Sequence, residues 1–303
     1  MIPRVTRRKL LKLATPALLL LKIIRPAKAW THGTTFPVPT VAAANGLNRQ
    51  AFFDHFNSSA TIDLSGTGNP GYNWYLNNAW PNAPGPFDGW GDVRSAPATP
   101  ASNITVANSI ITTKNAGRNG PGSGSTAGHF LQTAQAAGAS YVGRGFVPPM
   151  FIQYSMAVVA GSGDSLAWTA LWLQPLEFLT GSAPVWTEVD CMEYYLGNPG
   201  QVLMSVHYND FSNQITVTLN NNNAVTNVVD SNFHTYGMLW LPAAGAINGI
   251  VQFYLDGVHQ TGADYSYASG SQGSFSDMLH MMMTITPGDI QNASWDYIGV
   301  WQQ

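Results

Sequence analysis

The run Trp186-Thr187-Glu188-Val189-Asp190-Cys191-Met192-Glu193-Tyr194-Tyr195 gathers two of the three Glu residues of a 303-residue chain around one Asp. From Glu188 to Asp190 polar and apolar residues alternate, the two-residue period of a strand with one buried face. On a regular strand Glu188 and Asp190 share a side, whereas Glu193, five positions from Glu188, points to the other. A β-bulge at Cys191-Met192 supplies the one extra residue that brings all three carboxylates to one face, with Val189 and the bulge residues turned to an apolar interior.

Segments with the same period recur on both sides of this run. They are expected as strands from Ile104 to Thr112, Phe151 to Ala160, Leu166 to Leu173, Val202 to Tyr208, Gln214 to Leu219, Phe233 to Trp240, Ile250 to Leu255, Leu279 to Ile285 and Trp295 to Trp301. The acidic run itself is read from Val185 to Tyr195. Asp256-Gly257 is a tight hairpin signal and Asn220 to Asn223 a polar turn. No stretch sustains a helical period for long, so the reading is all-β, a two-sheet antiparallel sandwich of jelly-roll type.

Composition agrees. Hydrophobic residues make up 45% of the chain and charged residues only 10%, against about 25% charged in ordinary soluble domains. Ten Trp, twelve Tyr and thirteen Phe supply the apolar area for a large core.

Eight of the thirteen basic residues fall in the first 28 positions, where no acid occurs. That segment has a basic head with Arg7-Arg8, an apolar stretch from Leu13 to Leu21 and a small-x-small site at Ala27-Lys28-Ala29. It reads as a twin-arginine-type export signal spanning residues 1–29, followed by a linker at 30–50 and one domain at 51–303. The expected destination is the periplasm or the exterior, with no membrane association after cleavage. Past the signal, five basic residues face sixteen acidic ones, which makes nucleic acid an unsuitable partner. Cys191 is the single cysteine, so no internal disulfide is available, and the chain is expected to be a monomer.

The acidic run resembles the Glu-x-Asp-x-x-Glu strand of glycoside hydrolase family 16, in the bulged form typical of laminarinases, agarases and carrageenases. Further segments are similar to the family in the expected order: Phe52 to Asn57, Leu166 to Pro175, Phe233 to Trp240 with Phe253 to Gly257, and Trp295 to Gln302. The resemblance implies a concanavalin-like jelly roll and a retaining endo-β-glycosidase that cleaves an extended polysaccharide, β-glucan before β-galactan. Glu188 would then be the nucleophile, Glu193 the acid and base, and Asp190 the residue that orients Glu188, with no cofactor required.

Sugar rings have apolar faces, so aromatic planes beside the carboxylates are natural subsites. Trp168, Trp172 and Trp186 are the candidates, because strand spacing places them on the carboxylate face; burial in the core is the bland alternative. His207 matches a histidine that borders the catalytic centre in many family members, although a lone strand histidine is more often structural. Asp296 stands where some members bind a structural calcium ion, and one Asp does not make a metal site. Thr67 to Pro100, with Trp74, Trp80 and Trp90, reads either as a wall of the groove or as a loop folded over a sheet edge. A transglycosylase with the same intermediate, and a lectin-like protein with no need of a carboxylate pair, are the competing readings.

Overall fold

The computed structural model describes residues 36–65, 68–77, 104–113, 130–137, 140–158, 168–177, 187–195, 201–208, 213–220, 229, 231–268, 279–286 and 293–303. A short helix α1 (Thr40–Ala44) precedes β1 (Arg49–Asp54), β2 (Ile62–Asp63), β3 (Trp74–Asn77), β4 (Ile104–Ala107) and β5 (Ile110–Thr113). Next come β6 (Phe130–Gln132), β7 (Ala134–Ala137), β8 (Ser140–Gly143), β9 (Met150–Val158) and β10 (Trp168–Pro175). The acidic run forms β11 (Glu188–Tyr195), followed by β12 (Gln201–Tyr208), β13 (Asn213–Asn220), β14 (Phe233–Leu241) and β15 (Gly249–Leu255). The chain ends with β16 (Val258–His259), β17 (Tyr265–Tyr267), β18 (Met281–Thr286) and β19 (Ala293–Gln302).

Two large sheets stack into a sandwich. Among the described residues one sheet follows the order β16-β15-β14-β9-β19-β5-β4, with β1 also on β19 and β17 on β15. The other follows β13-β12-β11-β10-β18-β6-β3-β2, and β7 pairs with β8 apart from both. All pairs are antiparallel except β2 with β3. The alternation seen in the sequence is what the sheets bury: in β15 Val251, Phe253 and Leu255 enter the core while Ile250, Gln252 and Tyr254 face out. From the second sheet Leu171, Leu173, Val189, Met204, Val206, Met283 and Ile285 meet them.

Two expectations are corrected. The stretch expected as one strand from Ile104 to Thr112 is a hairpin, β4 and β5, joined at Asn108 and Ser109 with φ of 54° and 61°. Asn tolerates the left-handed conformation, and a two-residue turn leaves the alternating pattern unbroken across it. Residues 36–50, expected as a linker, are docked on the outer face of the first sheet. Ala42 and Leu47 are buried there with Phe151, Leu239 and Trp301, and the Phe36 ring lies 4.8 Å from Phe53 and 4.6 Å from Tyr297. This cover explains why β9 and β14 bury residues on both faces.

Candidate active site

Strand β11 carries the bulge where the alternation demanded it. Glu188 pairs with His207, Asp190 with Ser205 and Glu193 with Leu203, so Cys191 and Met192 together stand opposite Met204 alone. On the other side Asp190 pairs with Trp172 and Glu193 with Ala170. Positions 203, 205 and 207 share one face of β12, as 170 and 172 share one face of β10; hence Glu188, Asp190 and Glu193 do too. Val189, Cys191 and Met192 all lie in the hydrophobic core. The apolar pair at the bulge therefore anchors the kink from beneath while the carboxylates project from the opposite side.

Cross-strand partners on that side form a file across the sheet, Asp63, Tyr75 and Gln132 and, one strand further across β18, Trp172, Asp190 and Ser205. The file is polar except for two aromatic residues, in contrast to the apolar core face. Glu188 and Glu193 are each 8% exposed and Asp190 2%, so only their edges meet solvent. Carboxylates held this deep interact strongly with neighbouring charges, which is the condition for dividing nucleophilic and proton-transfer roles between them. His207 Nε2 lies 2.9 Å from Asp190 Oδ2 and 3.9 Å from Glu188 Oε1.

The structure thus brings together Glu188, Asp190, Glu193, His207 and Trp172. Trp172 is only 2% exposed, which makes it a floor beside Asp190 instead of an open plane. Trp168 pairs with Tyr195 at the far end of β10; its side chain, like the whole of Trp186, lies outside the described residues. In the Trp-rich segment Trp74 and Tyr75 are buried in β3, Trp74 Nε1 donating to Asp54 Oδ2 at 3.1 Å. Trp80 and Trp90 lie outside the described residues. Sequence reasoning passed over Ser205 and Gln174, both buried polar residues. Each could have been found at strand period, Ser205 two before His207 and Gln174 two after Trp172.

Burial and the neighbouring Asp190 push the Cys191 thiol well above its ordinary pKa, so the thiol stays protonated and is no nucleophile. Asp296 is half-buried, and burial raises its pKa while the nearby His55 lowers it. A lone carboxylate facing an imidazole does not make the oxygen cage that calcium needs, and Asp296 joins no group of three metal-ligating side chains among the described residues.

Residues 149–298 match the family model described as glycosyl hydrolases family 16. Among solved structures, the endo-1,3-beta-glucanase from Streptomyces sioyaensis superposes with a TM-score of 0.57 at 17% identity, covering 84% of this chain and 95% of that one. The endo-beta-1,3-glucanase from Pyrococcus furiosus gives 0.56 at 18%, with 84% and 94% covered. The laminarinase catalytic domain from Thermotoga maritima gives 0.53 at 18%, with 84% and 98% covered. At such identities these likenesses show the shared jelly-roll fold. No curated protein matches the chain in sequence.

Proposed function

From a chain that carries a glycosyl hydrolase family 16 domain, we propose a retaining endo-β-glycosidase acting on an extended β-linked polysaccharide, with Glu188, Asp190 and Glu193 as its catalytic centre. The observation that supports this reading is the bulge at Cys191 and Met192, which turns all three carboxylates to one face of β11.

In the first step the Glu188 carboxylate attacks the anomeric carbon as Glu193 gives its proton to the leaving glycosidic oxygen, forming a glycosyl ester. In the second, Glu193 takes a proton from water, the water oxygen attacks the same carbon from the opposite side, and Glu188 departs as a carboxylate. Two inversions restore the β configuration. The negative charges of Glu188 and Asp190 disfavour a charge on Glu193 before the first step, and esterification of Glu188 removes part of that repulsion before the second. Asp190 shares the face of β11 with Glu188, and His207 Nε2 lies 2.9 Å from Asp190 Oδ2 and 3.9 Å from Glu188 Oε1, which supports a role for the pair in orienting Glu188 for in-line attack.

β-Glucan is the favoured substrate, since the solved relatives described above are named for endo-β-1,3-glucanase or laminarinase activity. The basic, apolar N-terminal segment supports export by the twin-arginine route. The deciding experiment incubates the chain with a panel of β-glucans and β-galactans and follows the products by NMR. The expected result is newly formed reducing ends of β configuration released from internal bonds; no cleavage of any panel member overturns the proposal, and transfer to added sugar acceptors without reducing-end release would identify a transglycosylase.

A further inference from the structure

Glu188, Asp190 and His207 each turn one donor atom into the same small volume, all three atoms lying within 4.8 Å of one another. Two separations are 2.9 Å, His207 Nε2 to Asp190 Oδ2, and 3.9 Å, His207 Nε2 to Glu188 Oε1. Ligands held at 2.0–2.2 Å around a tetrahedral ion stand about 3.4 Å apart, between these two values. Asp190 Oδ2 is buried and receives no directed hydrogen bond, so its contact with the imidazole is one of proximity only. A desolvated carboxylate oxygen without a donor is unfavourable, and a cation at the centre of the three atoms satisfies it.

We propose that Glu188, Asp190 and His207 form a binding site for one divalent transition-metal ion of the zinc and copper class. One imidazole nitrogen and two carboxylate oxygens are a donor set for such ions, whereas calcium and magnesium select six or more oxygens. Three protein ligands leave a fourth position for water or a sugar hydroxyl. Among the described residues this is the one group of three such donors; the pairs His234 with Asp256, His259 with Asp264 and His280 with Glu177 each offer one imidazole and one carboxylate. The ion engages Glu188 Oε1, so bound metal shuts off nucleophilic attack reversibly. That consequence rests on the role of Glu188 proposed above, and the binding does not.

The test is calorimetric titration of the full chain with zinc chloride, paired with a β-glucan hydrolysis assay. Expected are one zinc ion per chain, at least tenfold weaker binding in His207→Gln and in Glu188→Gln, no comparable binding of calcium or magnesium, and unchanged binding in Glu193→Gln. Inhibition of the wild type should follow the same concentration dependence and be reversed by a chelator. Absence of binding, or equal affinity in the wild type and His207→Gln, overturns the site; if one of the two ligand variants fails to fold, the other gives the same readout. If zinc binds in a His207-dependent manner to a chain that cleaves no glycan, the metal site stands and the hydrolase reading falls.

Discussion

Trp172 stands directly opposite Asp190 across β10 and β11, with only 2% of the residue exposed. A ring so enclosed supports the carboxylate instead of offering its face to sugar. Trp172→Ala should therefore destabilise the fold by ~3–5 kcal/mol, the cost of emptying a large aromatic site. Trp172→Phe, which keeps most of the volume, should fold and lower kcat more than it raises KM. Urea melts and steady-state kinetics on a soluble β-glucan check both; a rise confined to KM would instead mark Trp172 as a binding plane.

The bulge makes five sequence positions act as four, so removing one bulge residue leaves Glu193 truly four positions from Glu188 and still on the carboxylate face. Deletion of Cys191 should accordingly keep measurable turnover at some cost in core packing. Insertion of Ala after Cys191 makes the separation six, so a regular strand keeps Glu193 on the carboxylate face but sets it about 20 Å along the strand from Glu188 instead of about 13 Å, too far to act on the same bond. The kcat/KM should fall by about 10²–10⁴-fold, the usual weight of a general acid. Kinetics on variants shown by circular dichroism to be folded decide the matter, and deletion more damaging than insertion would contradict this account of the kink.

These two cases also show what a sequence can carry. The odd spacing of Glu188 and Glu193 demanded a bulge on its own terms, because strand period is local. The contact of His207 with Asp190 depends on the register of β12 against β11, a pairing between strands that no single segment encodes. The same holds for Trp172: strand period places it on the carboxylate face, but its burial depends on what packs around it. The hairpin at Asn108 and Ser109 escaped because its turn preserves the alternation of β4 and β5. Residues 36–50 carry no strand alternation that would mark them as part of the domain, and their place in it shows only where Phe36 meets Phe53 and Tyr297, the latter more than 260 positions away.

The two glutamates can be told apart by the product each variant forms with azide and a β-glycoside bearing an activated leaving group. In Glu188→Ala azide occupies the space of the lost carboxylate and displaces the leaving group with one inversion, giving an α-glycosyl azide. In Glu193→Ala the ester still forms on Glu188, and azide then displaces it with a second inversion, giving the β-glycosyl azide. Turnover of natural polysaccharide should fall by about 10²–10⁴-fold or more in both variants. NMR of the azide products is the check, and the opposite pattern would exchange the roles of the two residues.

A second pair, Glu177 just past β10 and His280 just before β18, sets a pH dependence of stability. His280 Nδ1 lies 2.7 Å from Glu177 Oε1, and the His280 backbone N–H donates to both Glu177 oxygens at 3.1 Å. The hydrogen bond to Glu177 raises the His280 pKa above its ordinary 6.5, against the lowering effect of burial. Since the folded pKa is the higher one, the stabilisation is fully present below about pH 6.5 and is lost as pH rises through the folded value. Glu177→Gln keeps an acceptor for the backbone N–H and removes the charge, so its deficit in Tm relative to the wild type should be larger at pH 5.5 than at pH 9. The His280 side chain is 41% exposed, so screening limits the difference to about 1–2 °C. Thermal melts of both proteins across that range test it, and a deficit that stays constant with pH would show that the protonated imidazole contributes nothing to the fold.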